Sequence, residues 1–555
     1  VTDSQTPRQK LLRRKQAMWN ERSSWTTRWR DMRDYMLPDA GQFYDLDRDR
    51  GENRHIRVLD NTGQRSLAVL AAGLMAGMTS PARPWFRLTT TDSDLMESEA
   101  VKLWMHRVTR IMREIFARSN TYRALHQTYE ELGAFGTGVS FIKPNFNTVL
   151  HHMPLTVGSY ALAANADGVV DTLVREIPMT VEQLVGEFGL DNVCAQTKNR
   201  YERHDYDTWL TVYHEVSPRK DRQYGKRDAM NKPFKSCYYE ATGDGTNPLR
   251  ESGFDEFPAL ASRWVVRGAS VYGSSPGREA LGDIISLQNG QFQKAKAIDY
   301  KVDPPLSMPA AMKNDQKDLL PGGITYYTGQ QPDMIRSIYE PQLDLQHMLL
   351  DIQDMRERIR SSFYVDLFMM LANDTRSGIT ATEVAERHEE KLLMLGPVLE
   401  RLHNELLSPK IDITFAMMVR AGIVPTPPPE LQGMDLKVEF VSTLAQAQRA
   451  VGLSSVDRLL GTVGNMAALK PDVMDKLDTD QIVDTYSDML GVDPDLIVAD
   501  EKVALIRQQR AEMERAAQQA EQAAMGVQMA EQMSRADTSG KNALTDVMAQ
   551  FQGYS

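Results

Sequence analysis

Cysteine is nearly absent from this chain. Two residues in 555, Cys194 and Cys237, cannot build a disulfide framework or a four-cysteine zinc site. A reducing compartment is the simpler reading of so few thiols. No long apolar run is present either. The best candidate, residues 66–82 (SLAVLAAGLMAGMTSPA), has 17 residues, lies between Arg65 and Arg83, and is broken by Pro81. A spanning helix needs about 20 apolar residues, so this segment reads as a buried helix whose Gly73 and Gly77 permit close packing. The first residues are polar and basic, without the apolar core of a secretory signal. Basic charge is also in deficit. The formal charge is −11, which excludes a protein that coats DNA through a broadly basic surface.

Catalytic and metal motifs are missing in turn. There is no H-E-x-x-H, and Gly540-Lys541 is followed by Asn542 rather than Ser or Thr, so no P-loop exists. Gly133, Gly136 and Gly138 have the wrong order for a dinucleotide loop. Asp45, Asp47 and Asp49 imitate a calcium loop, but the glycine comes one place late and Ile56 stands where a glutamate is needed. His151 and His152 are adjacent in an expected strand, so they face opposite ways and cannot share a metal. Gly273-Ser274-Ser275-Pro276-Gly277 matches the nucleophile elbow G-x-S-x-G. There the residue after the serine must donate its N–H, and Pro276 has none. Ser275 is better read as a helix N-cap with Pro276 at the first helical position. These residues point to no enzyme and no cofactor.

What remains is a chain of ordinary apolar content, 42%, with enough length for several packed units. Residues 8–33 carry nine basic side chains against two acids. Met18, Trp25, Trp29, Met32 and Met36 recur at helical spacing, so the tryptophans are expected to be buried rather than to stack on nucleic acid. Pro38 ends that helix. Two more helices are expected at 95–118 and 122–135. From 139 to 266 the pattern turns to strands, with a hairpin turn at Asp167-Gly168 and a capping box of Thr180 and Gln183. The fold class is α+β, mainly helical.

The second half is a series of long helices. Residues 276–300 form one, stopped by Pro304-Pro305. A turn-rich insert with six prolines between 303 and 341 follows, containing an expected strand at 324–328. Residues 343–364 form the second helix. A third is expected over 380–420, kinked about one turn before Pro397. PTPPP at 425–429 is a stiff linker. Residues 430–500 hold 13 acids against five bases and show short helical patterns. The segment 494–535 is rich in helix formers but poor in large apolar residues, so it is expected to be either one helix of a multimeric bundle or a solvated single helix.

This order of parts resembles the head-to-tail connector, or portal, proteins of short-tailed bacteriophages. The local sequence agrees: Asp60-Asn61-Thr62-Gly63 leading into LAAGLMAGMTSPARPWFRL, VYGSSPGREALGDIISLQ at 271–288, and GITATEVAERHEEKLLMLGPVLERLHNELLSPKI at 378–411. The resemblance implies a portal fold: a wing (1–275), a stem helix (276–300), a clip (301–342), a second stem helix (343–364), a tunnel loop (365–378), a long kinked wing helix (379–424), a crown (425–497), and a C-terminal barrel helix with its tail (498–555). It implies a ring of this chain, a dodecamer, at one capsid vertex of the virion, assembled in the bacterial host cytoplasm. Its partners would be the terminase large subunit, tail adaptor or nozzle proteins, the major capsid or scaffolding protein, and ejection proteins at the crown or barrel. Double-stranded DNA would pass through the channel in packaging and ejection.

The same resemblance suggests sites. Asp366, Phe368, Met369, Met370, Asn373, Asp374 and Arg376 would face DNA in the tunnel loop. Lys313, Asp315, Lys317, Asp318, Tyr326, Tyr327 and Gln330 would serve partner binding at the clip. Arg278, Asp283, Gln291, Lys294 and Lys296 would mark the stem. The alternatives are a non-channel structural or membrane-apposed assembly protein and, behind it, a hydrolase.

Overall fold

The computed structural model describes residues 6–43, 57–90, 98–226, 228–243, 246–302, 306–307, 336–337, 345–373, 395–431, 436–440 and 500–535, with isolated positions between 462 and 498. The chain opens with α1 (Pro7–Met36), whose Thr6 and Gln9 form a reciprocal capping box. Trp29, Met32 and Met36 are buried and Trp25 is half-buried, as the apolar stripe predicts. The Trp29 indole N–H donates to the Phe135 carbonyl at 3.2 Å. α2 (Thr62–Met78) is the Ala/Gly-rich segment. It packs in the core, and among the described residues no helix is long and apolar enough to cross a membrane.

β1 (Phe86–Thr90) leads to α3 (Glu99–Arg118) and α4 (Thr121–Phe135). Gly136 ends α4 at φ 82°, a left-handed conformation that suits glycine, and a Cβ there would lie 2.3 Å from the Gly273 carbonyl oxygen. Strands β2 (Thr137–Asn145), β3 (Val149–Leu155) and, further on, β9 (Ala259–Arg263) make an antiparallel sheet in the order β3-β2-β9. A second sheet of five antiparallel strands runs β4 (Tyr160–Ala164), β5 (Val170–Thr180), β6 (Trp209–Pro218), β7 (Phe234–Glu240) and β8 (Arg250–Phe254). The β4–β5 turn contains Gly168 at φ 77°. The short helices α5 (Val181–Phe188) and α6 (Ala195–Glu202) lie between β5 and β6. α5 is opened by the expected Thr180–Gln183 box.

α7 (Pro276–Val302) and α8 (Leu345–Ser362) match the two expected stem helices within two residues at every end. The Arg278 amide donates to Ser275 Oγ at 2.9 Å, so Ser275 is the cap that its sequence announced. Of the insert between them, the described residues are two-residue strands, β10 (Leu306–Ser307) and β11 (Arg336–Ser337), which pair antiparallel. The expected strand at 324–328 lies outside the described residues.

Two expectations need correction, and a third is untested. Residues 365–378 read as a loop, but α9 (Val365–Asn373) is helical; only 374–378 lie outside the described part. The acidic segment after the PTPPP linker read as helical, yet β12 (Leu436–Phe440) is a strand paired antiparallel with β1, Phe86 opposite Phe440. The chain therefore returns to the first half of the molecule there. The kink expected before Pro397 lies outside the described residues, and the irregularity they do include has another proline at its root. A π turn spans His403–Leu407 and feeds α10 (Ser408–Arg420), with Pro409 in its first turn. Pro409 has no N–H to offer the preceding turn, and the Ser408 N–H reaches back five residues to the His403 carbonyl. The last described element, α11 (Asp500–Arg535), is a 36-residue helix whose described side chains are almost all exposed, as either a bundle helix or a solvated helix would be in a single chain.

Candidate functional site

Asp60 ties three helices together. Its Oδ1 accepts from the Thr62 amide at 2.9 Å and from Thr62 Oγ1 at 2.5 Å. Its Oδ2 accepts from Gln291 Nε2 of α7 at 2.9 Å and from Arg356 of α8, Nε at 3.0 Å and Nη2 at 2.7 Å. Gln288 of α7 completes the knot: its Oε1 accepts from the Leu59 and Asp60 amides, and its Nε2 donates to the Asp60 carbonyl. Burial disfavours the Asp60 charge. The Thr62 hydroxyl, Arg356, the Thr62 amide and Gln291 together outweigh that penalty and hold the carboxyl below its usual range.

Beside this knot lies a cavity of about 930 Å³, lined by α2, α7, α8 and α9. Gln291, Lys294, Arg356, Asp366 and Met369 contribute to its wall, with Arg65 and Arg360. Gln291 and Lys294 are expected stem residues, and Asp366 and Met369 are expected tunnel residues, so four positions from two separate groups meet at one place. Met369 is 48% exposed. Asp283 pairs with Arg358 of α8 at 3.4 Å, a second link between α7 and α8. Lys296 is exposed further along α7. Arg278 sits apart, its guanidinium 4.9 Å from the Trp25 ring beside a smaller cleft that Tyr272 and Glu279 also line.

Phe368 does not fit its expected role in this chain. It is 5% exposed and stands against α2, where a Cβ on Gly73 would fall 2.2 Å from the Phe368 ring. Phe368 and Leu367 close the core, while Asp366 and Met369 look outward. α9 thus divides the apolar run between a buried and an exposed face, which a loop reading could not anticipate. Met370 and Asn373 belong to α9, but their side chains lie outside the described residues, as do Asp374 and Arg376. All seven clip candidates, Lys313, Asp315, Lys317, Asp318, Tyr326, Tyr327 and Gln330, fall there too. Among the described residues no group of three metal-ligating side chains converges.

Sequence reasoning quoted Asp60 without giving it a task, and it missed Arg356. The available signal was a lone acid just before an apolar helix, which becomes meaningful only once α7 and α8 supply its partners. It also missed the clamp of Arg263 on Glu405, with contacts from the Arg263 amide at 3.0 Å, Nε at 3.2 Å and Nη2 at 2.6 Å. That clamp joins β9 to the π turn, and Arg401 adds a contact at 3.1 Å.

Comparison with known proteins identifies the family. The family model for bacteriophage head to tail connecting proteins matches residues 8–498. The chain belongs to this family. It is 55% identical over 552 residues to the probable portal protein of Bordetella phage BPP-1, covering 99% of this chain and all of that one. It is 44% identical over 548 residues to the portal protein of Salmonella phage epsilon15, covering 98% of each. Among solved structures, the neck of an empty gene transfer agent particle computed with C6 symmetry aligns over 78% of this chain and 90% of the other, at 10% identity and a TM-score of 0.35. The expectation of a portal-type connector, a structural component of the virion, therefore holds, and neither the membrane-apposed reading nor the hydrolase reading is favoured.

Proposed function

We propose that twelve copies of this chain form a ring at one capsid vertex, and that the ring's bore conducts double-stranded DNA. The terminase large subunit would drive DNA inward at the clip, residues 301–342, and tail adaptor or nozzle proteins would later take its place. Capsid or scaffolding protein would hold the wing, and ejection proteins would meet the crown and barrel. The chain would act as a conduit with no catalysis of its own, assembled in the host cytoplasm. Of the sequence-derived site residues, Lys294, Lys296, Asp366, Met369, Met370, Asn373, Asp374 and Arg376 are the ones we assign to the channel side; Phe368 supports them from within the core.

The observation that carries this reading is the near full-length likeness to two portal proteins. The stem pair supports it. α7 and α8 expose Phe292, Ile298, Val302, Leu349 and Leu350 toward the ends that flank the insert. Solvent-facing apolar side chains concentrated on one helix pair favour burial against a neighbour. A ring supplies that neighbour for every copy. Electron microscopy of the purified chain tests the proposal: rings with a central hole wide enough for duplex DNA support it, and a monomer at micromolar concentration refutes it.

A further inference from the structure

α3 carries a largely basic face, with Glu114 as the acid among its exposed side chains. Lys102, Arg107, Arg110 and Arg118 of α3 and Arg123 of α4 are exposed, and Arg113 is half-buried. None of the six has a hydrogen-bond or ion-pair partner among the described residues. The opposite face, with Val101, Met105, Val108, Met112, Ile115 and Phe116, is buried in the core, so the orientation of the helix is fixed. The acids of α3 are Glu99 at its first position and Glu114. α3 thus holds five basic side chains against two acids, and Glu114 lies one turn from both Arg110 and Arg118. At 1.5 Å per residue, Arg107 to Arg118 spans about 16 Å. In a chain of net charge −11, such a face runs against the overall balance.

We propose that this face is a binding site for the phosphate backbone of double-stranded DNA, on the body of the protein and separate from the stem. Three features favour DNA over an acidic protein. Five of the six cations are arginine, whose planar fork suits phosphate oxygens. The face has one exposed large apolar side chain on α3, Leu103, and no aromatic anchor, whereas protein interfaces bury an apolar centre. A set of donors on one rigid helix can contact a phosphate backbone without reading bases. The inference stands on the charge pattern and does not require the channel reading to be correct.

The test uses the purified full-length chain and a fluorescent 20-base-pair duplex, titrated from 50 to 250 mM salt. Arg107→Gln with Arg110→Gln removes two phosphate contacts. The slope of log affinity against log salt should fall by about 1.8, and affinity at 0.1 M salt by about 60-fold. Arg118→Gln with Arg123→Gln is the second pair and should reproduce the loss if the first variant fails to fold. Lys220→Gln with Lys226→Gln, two exposed bases outside both α3 and the proposed channel, should leave this binding unchanged; an equal loss in that pair would overturn the proposal. Unaltered slope and affinity in both α3 pairs would overturn it as well. So would variants that keep DNA binding but lose binding to polyglutamate, which would mark the face as a dock for an acidic protein.

Discussion

Replacing Asp60 by asparagine keeps its shape and removes its charge. The amide that results has one acceptor oxygen where the carboxylate has two. If the oxygen stays toward Thr62, the new N–H₂ meets Gln291 Nε2 and both Arg356 donors, and three contacts become donor against donor. If it turns toward Arg356, the Thr62 N–H loses its acceptor in a buried place. Hydrogen bonds to charged groups contribute about 1.5–3 kcal/mol each. The Arg356 side chain is 39% exposed, so water takes over part of its loss. A net cost of about 2–4 kcal/mol follows from these ranges. The lower figure is a factor of about 30 in a local opening equilibrium. Hydrogen exchange read by mass spectrometry should show that loss in peptides from α7 and α8, with the five-stranded sheet unaffected. The pH dependence has a definite sign. A carboxyl whose folded pKa is depressed stabilises above its unfolded value, about 3.9, and that stability disappears as pH falls through the folded pKa. The gap between wild type and Asp60→Asn should be flat from pH 7 to about pH 5 and close in acid. Equal protection in the two proteins at pH 7 would refute the idea that Asp60 holds the stem.

Trp29→Ala should cost about 3–5 kcal/mol, because a fully buried ring and its hydrogen bond to Phe135 are lost. Trp25→Ala should cost less, since Trp25 is half-buried; calorimetry of both variants checks the order. Lys410 is buried beside His152 and the Phe116 ring, and burial pushes its amine down to about 7. The unfolded chain binds more protons than the folded one between pH 7 and about 10, so wild-type stability should rise over that window. Lys410→Met should be more stable than wild type at pH 7, with a gain that shrinks toward pH 10; melting curves at four pH values would expose a constant difference and so dispose of the argument.

Local signals were legible in the sequence, and distant pairings were not. The Ser275-Pro276 cap, the Thr180–Gln183 box and the stripe of α1 each depend on residues within a few positions or a helical period, and all three are present. β12 escaped because its partner β1 lies about 350 residues earlier, and an isolated five-residue run carries no mark of such a pairing. Phe368 escaped for the same reason. Four apolar residues in a row have no period that separates helix from loop, and the glycine that receives Phe368 is nearly 300 residues upstream. The π turn was open to discovery at Pro409, but Pro397 drew the expectation instead.

Gly73 and Asp60 act from the two sides of one helix junction, and this gives the strongest combined test. Asp60 precedes α2 and grips α7 and α8 by charge; Gly73, inside α2, receives α9 by contact. Gly73→Ala should gain about 1 kcal/mol of helix propensity. A Cβ at 2.2 Å from the Phe368 ring cannot be met by a small rotation, because Phe368 is itself buried. Overpacking of this kind costs about 1–3 kcal/mol, so the clash outweighs the propensity unless α9 moves away. Phe368→Ala placed on top of Gly73→Ala should recover part of the loss, whereas the two changes would simply add if they were independent. In hydrogen exchange Asp60→Asn should loosen α7 and α8, and Gly73→Ala should loosen α9. Their pH profiles should differ: the charge-dependent effect fades in acid, and the steric effect does not. If Gly73→Ala leaves α9 protected and Phe368→Ala gives no rescue, then α9 does not rest on α2. The residues at 366 and 369 would in that case lack the fixed support from which a channel-facing role was argued.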